Sequence, residues 1–163
     1  MANLLTPQEI MFTNFEPKMS NRFIMYIGGI PAYLIKAAGR PEIGNGKITI
    51  DHINTRRYIK GRSEWQDLTI TLYDPVVPSA AQAVMEWVRL GHESVTGRNG
   101  YADFYKRDLQ LKLLDPVGTV VELWDMKGCF LTDANFGSLD YSDDSGNMDI
   151  SMTIRFDNCV LQY

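Results

Sequence analysis

Between Met148 and Asp157 the chain alternates without a break. Met148, Ile150, Met152, Ile154 and Phe156 fall on one side, and Asp149, Ser151, Thr153, Arg155 and Asp157 on the other. An extended backbone sends successive side chains to opposite faces, so this pattern predicts a strand with one buried and one wet face. The same period recurs where Leu68, Ile70 and Leu72 oppose Asp67, Thr69, Thr71 and Tyr73. It returns with Leu109, Leu111 and Leu113 in 107–115, and with Phe23, Met25 and Ile27 between Arg22, Ile24 and Tyr26. Residues 32–38, 119–125 and Gly128-Cys129-Phe130 also read as strands, the first following a Gly28-Gly29 turn and the second an Asp115-Pro116-Val117-Gly118 turn. Repeated one-sided burial is the mark of antiparallel sheets. The chain is therefore expected to be mostly β, an antiparallel sandwich or barrel-like domain.

One segment breaks the period. Ser79, with Gln82 three residues on, has capping-box spacing; Val84, Trp87 and Val88 then recur at helical intervals, and Gly91 supplies a stop. A flanking helix over about 79–90 follows, its apolar stripe packed on a sheet. At 163 residues, with 45% apolar and 22% charged side chains, the sequence suits a single domain with a real core. Residues 1–19 keep no period, although Leu4, Leu5, Ile10, Met11, Phe12 and Phe15 make them too apolar for a solvated tail. They read as an irregular N-terminal arm, to be laid on a surface, ahead of one β domain over 20–163.

Residues 43–64 read as a long hairpin with little apolar content, its arm spanning about 47–62. Seven basic residues against Glu42 and Asp51 lie between Lys36 and Arg62, whereas six aspartates against two basic residues lie between Lys127 and the C-terminus. The formal net charge of −4 thus conceals two patches of opposite sign. An acidic chain with no recognition-helix signature is not built as a free-standing duplex-DNA binder. Two opposite patches on one chain instead predict head-to-tail self-association, which yields rings or filaments.

Enzymatic and metal chemistry find little material. Asp140, Asp143, Asp144 and Asp149 lack the alternation and closing Glu of a calcium loop, and read as a solvated turn. His52 and His92 have no second ligand at metal spacing, and no phosphate-cradling glycine loop occurs. Cys129 and Cys159 form no Cys-x-x-Cys pair and read as buried, unreactive thiols, a bridge within or between subunits being the alternative. No cofactor, metal or catalytic residue is expected. No run is long and apolar enough for a bilayer helix, because Gly28, Gly29 and Pro31 interrupt Phe23 to Leu34. Synthesis in the cytosol with reduced thiols is the corresponding expectation.

The ordered set of motifs resembles a family. It comprises Asn21-Arg22-Phe23, Lys36-Ala37-Ala38 with Pro41, the polar hairpin, Trp65-x-x-Leu68 through Asp74, the helix with Trp87, and Tyr105-Lys-Arg-Asp108. Leu113-Leu-Asp-Pro116-x-Gly118, Trp124-x-x-x-Gly128, Leu139-Asp-Tyr-Ser142 and Ile154-Arg-Phe-Asp157 complete it. From about residue 20 to the C-terminus the chain resembles the tail tube proteins of contractile-tailed bacteriophages, which are related in fold to type VI secretion tubes. The resemblance implies a non-enzymatic virion protein whose rings, hexameric in the family, stack into the inner tail tube that conducts DNA during ejection. It implies as partners further copies of the chain, the tail sheath, the tape-measure protein, and baseplate and tail-terminator proteins. DNA would be met only in passage and no membrane at all, with assembly in the host cytoplasm and residence in the virion tail.

By position, Lys47, Arg56, Arg57, Tyr58, Lys60 and Arg62 on the hairpin, with Asp140, Asp143 and Asp144, become candidate ring-to-ring contacts. The lumen face is either Asp67, Thr69 and Thr71 or Asp149, Ser151 and Thr153. A conduit for DNA should be neutral or acidic, because each phosphate it holds adds drag. Two alternatives remain open: a secretion-type tube or baseplate initiator subunit, and a monomeric ligand-binding sandwich using Trp65, Tyr101 and Tyr105.

Overall fold

The computed structural model describes residues 16–163. The N-terminal arm expected over 1–19 thus lies mostly outside the described residues. Nine strands and two helices follow in chain order among the described residues: β1 (Phe23–Ile27), β2 (Ile35–Ala38), β3 (Ile43–His52), β4 (Thr55–Trp65), β5 (Leu68–Tyr73), α1 (Ala80–Gly91), α2 (Ala102–Tyr105), β6 (Arg107–Leu114), β7 (Val120–Asn135), β8 (Asp149–Arg155) and β9 (Asn158–Leu161).

Every strand pairing is antiparallel, and all pairs but β3–β4, which stands as a separate sheet, form two layers. The first layer runs β1-β6-β7-β9, the second β7-β8-β5-β2, so β7 belongs to both. Its first part pairs with β6 and β9, and the part from Phe130 onward pairs with β8. The change of partner falls beside Gly128, whose φ is +66°. A side chain there would meet Asp157 Oδ2 at 2.2 Å, so both backbone and space require glycine. Asp157 closes the corner by donating its N–H to the Lys127 carbonyl.

The alternating residues meet between the layers. Met25, Leu109, Leu111 and Met126 from the first pack with Leu68, Ile70, Leu72, Ile150, Met152 and Ile154 from the second in one core. Helix α1 adds Ala80, Val84 and Trp87 to that core. The helix begins as the sequence predicts: Ser79 Oγ accepts from the Gln82 N–H at 3.4 Å. Asp74 adds a second cap, its Oδ1 accepting from the N–H groups of Ala80 and Ala81. Trp87 is fixed by its indole N–H, which donates to the Tyr105 carbonyl at 2.7 Å.

Several boundaries differ from expectation. Residues 32–34 form a turn of 3-10 helix after Pro31, so the second strand covers only Ile35–Ala38. The segments 119–125 and 128–130 are parts of one sixteen-residue strand, continuous because Gly128 bends it rather than ending it. β9 and α2 had no counterpart in the sequence reading. Of β9 only Cys159 is buried, so there is no alternation to read.

Candidate functional site

The β3–β4 hairpin forms its own two-stranded sheet. A bulge sits near its root, where Gly46 opposes Gly61 and Arg62. A Cβ on Gly61 would come within 3.0 Å of the Gly46 backbone, so the strands cross at a point that excludes side chains. At the tip, His52 and Thr55 flank a two-residue turn of Ile53 and Asn54, and Thr55 Oγ1 donates to the His52 carbonyl. Ile53 has a φ of 49° and is 89% exposed. That is an unfavourable conformation for a β-branched residue, at a place where none of the described residues packs on it.

Directly paired residues share a face in an antiparallel ladder. Ile48 opposite Ile59 and Ile50 opposite Arg57 therefore give one mainly aliphatic side. Lys47 opposite Lys60, Thr49 opposite Tyr58 and Asp51 opposite Arg56 give the other. Ile48, Ile50, Ile59 and Tyr58 are all exposed. On the charged side Arg56 pairs with Asp51 at 2.9 Å, and the Lys47 ammonium sits over the Tyr58 ring. Lys47 and Lys60 confront each other across the ladder, a like-charge arrangement that destabilises an isolated hairpin. The hairpin thus carries the apolar strip that sequence reading denied it. Its isoleucines were visible in the sequence, but with no core to face they could not be assigned a side.

The acidic candidates lie in the long connection between β7 and β8. Asp140 accepts from the N–H and hydroxyl of Ser142, and these bonds hold its carboxyl below the usual range. Asp143 accepts from the N–H groups of Ser145 and Gly146. Both acids therefore build the loop they stand on, while Leu139 and Tyr141 project from it, exposed. Among the described residues, no group of three or more His, Cys, Asp or Glu is placed to hold a metal ion.

The two alternatives for the lumen prove to be one surface. Thr69 pairs with Thr153, Thr71 with Ser151 and Tyr73 with Asp149, so both sets share the outer face of the second layer. Asp133 and Asn135 extend it along β7. Lys36 bonds Asp149 at 2.5 Å, which raises the lysine pKa. Arg155 donates to Asp67 at 2.9 Å and also to Glu64, and these bonds raise its pKa. Two cations thus stand among Glu64, Asp67, Asp133 and Asp149, an acidic balance.

Both thiols are buried. Burial pushes Cys129 up to about 12 and Cys159 up to about 11, which keeps them protonated and unreactive. The aromatics of the ligand-binding alternative are dispersed: Trp65 packs on Phe156, Tyr101 on Phe104 and Tyr105 on Phe130. Trp65 and Tyr105 line different clefts.

Sequence reading missed Glu122. It is 3% exposed and accepts from Lys18 Nζ and Arg40 Nη2, each at 2.5 Å, and from the Trp124 indole N–H. Its one signal is parity, since Glu122 sits in step with Trp124 and Met126 on the inward side of β7.

This two-layer domain with one flanking helix and a detached hairpin is a tube-type β fold. No protein-family profile matches the chain, and no curated protein matches it. Among solved structures it is similar to a chain of the sheath–tube complex of an extracellular contractile injection system in its extended state. That likeness has 19% identity and a TM-score of 0.69 over 90% of this chain and 91% of the other. It is also similar to the tube-terminating cap of the anti-feeding prophage, with 18% identity and a TM-score of 0.73 over 97% and 99%. A more distant likeness is Hcp1 from Flavobacterium johnsoniae, with 9% identity and a TM-score of 0.53 over 86% and 94%.

Proposed function

We propose that the chain is a structural subunit that assembles with copies of itself into rings, which stack into the tube of a contractile tail or injection apparatus. The observation that carries this reading is the β3–β4 hairpin, an element whose aliphatic and cationic faces meet no core among the described residues. Such a surface is stabilised by a partner, and the exposed Leu139 and Tyr141 among aspartates on the β7–β8 loop offer a complementary one on a second copy. In this role Lys47, Arg56, Arg57, Tyr58, Lys60 and Arg62 contact the next ring. The shared polar face of the second layer lines the lumen, where its acidic balance keeps phosphates from sticking.

The finer parts of the proposal are a hexameric ring, conduction of phage DNA, and contacts with sheath, tape-measure, baseplate and terminator proteins. Assembly in the host cytoplasm and residence in the tail belong with it, and no catalytic step is involved. Electron microscopy of the purified protein over a range of concentration and salt tests the proposal. Hollow filaments or stacked rings are expected, and monomers under every condition count against it. The likeness to a terminating cap favours one second reading, a single capping or initiating ring, for which isolated rings that never stack are the expected image.

A further inference from the structure

Glu122 sits where the two layers, the hairpin root and the stretch before β1 converge. Its carboxylate is nearly without water, yet both of its cationic partners lie at the surface, Lys18 53% and Arg40 59% exposed in their side chains. The partners come from different segments. Lys18 lies just ahead of β1, and Arg40 lies between β2 and the hairpin strand β3. Arg40 also stands over the Trp124 ring at 5.9 Å, and Trp124 donates its indole N–H to the same carboxylate. Backbone bonds complete the root: Gln66 N–H donates to the Glu42 carbonyl and closes the base of the hairpin, while Gly39 N–H, just before Arg40, donates to Thr69 of β5.

Burying a carboxylate is costly, and an apolar residue of similar size often serves stability as well or better. In some proteins such a cluster is kept instead for the fixed geometry it gives the groups it joins. We propose that Glu122 is a positioning residue for assembly: it latches the root of the hairpin, through Arg40, and the stretch before β1, through Lys18, to the first layer. The link to assembly rests on the hairpin being the partner-facing arm, while the latch itself does not.

Hydrogen exchange on the unassembled full-length protein tests the latch. Glu122→Gln keeps the shape and an acceptor for Trp124 but removes the charge that holds both cations. Exchange is expected to quicken about fivefold or more over 16–22 and 38–46, with β5 and β8 unchanged, as the loss of charge-assisted bonds implies. Lys18→Met should loosen only the first segment and Arg40→Met only the second. Unchanged exchange in both segments, or equal acceleration everywhere, overturns the latch. Should Glu122→Gln not fold, the two cation variants decide by the same criterion. Where wild-type protein forms tubes, the concentration needed by Glu122→Gln should rise about tenfold, and an unaltered threshold overturns the link to assembly. If wild-type protein never forms rings or tubes, the proposed function fails, and the exchange data still decide the latch.

Discussion

The β5–β8 pair and the β3–β4 hairpin are built by one local rule and held by different physics. Both are antiparallel with alternating side chains. In β5–β8 the apolar set, Leu68, Ile70 and Leu72 against Ile150, Met152 and Ile154, is sealed in the core. In the hairpin the corresponding set, Ile48, Ile50 and Ile59, faces outward. Removing apolar surface from water is worth about 25 cal/mol per Å², and among the described residues only the first pair collects it. The difference separates residues that make the domain from residues that, on the proposed function, are kept for a partner.

Substitutions on the two sides should therefore report different losses. Ile70→Ala in the sealed pair is expected to lower stability by about 2–5 kcal/mol in denaturant unfolding, the range for a core cavity. Ile48, Ile50 and Ile59 changed together to Ser should leave the unfolding midpoint nearly unmoved and abolish stacking; a large loss of stability would erase the distinction. Gly128→Ala lies between these cases, because it strains the corner both layers share. The left-handed backbone alone costs about 1–2 kcal/mol, and the approach of Asp157 adds to it.

Charge reversal at Arg56, Arg57 and Lys60 is expected to leave the monomer folded, since exposed charges add little to stability. It should still impair stacking, read as a shift from filaments to rings or monomers. Loss of the fold would place the hairpin on the wrong side of the comparison. A smaller effect concerns acid. Burial raises the Glu122 pKa, but its bonds with Lys18, Trp124 and Arg40 outweigh burial and hold it below the usual carboxylate value. The stability this brings is present above the unfolded value of about 4.3 and fades as pH falls through the folded one. Glu122→Gln should consequently flatten the acid limb of a stability–pH curve.

How far the fold could be read from sequence follows the same division. β5, β8 and α1 were legible because burial on one side imposes a period, and Ser79 marked the helix start. β7 was read in pieces, since a bend at Gly128 looks like a turn until pairing on either side is known. The lumen alternatives merged only through register, with Thr69 beside Thr153, which no linear pattern encodes. The hairpin candidates were placed by charge and by position in the resembled family, and neither assigned faces, so the isoleucine strip went unseen. The turn chemistry of Asp140 and Asp143 was legible from composition alone, and each does close its own turn. Glu122 was hidden because its partners are 104 and 82 residues away.

The continuity of β7 has a mechanical consequence. Two sheets joined only by side chains can slide past one another under shear. Here one covalent strand passes through both, pinned at its corner by the Asp157–Lys127 backbone bond and by Lys106 on Asp157 at 2.6 Å. Relative sliding must therefore straighten the Gly128 bend and strip hydrogen bonds from β6, β8 and β9 together. The domain thus resists shear between its layers through its main chain.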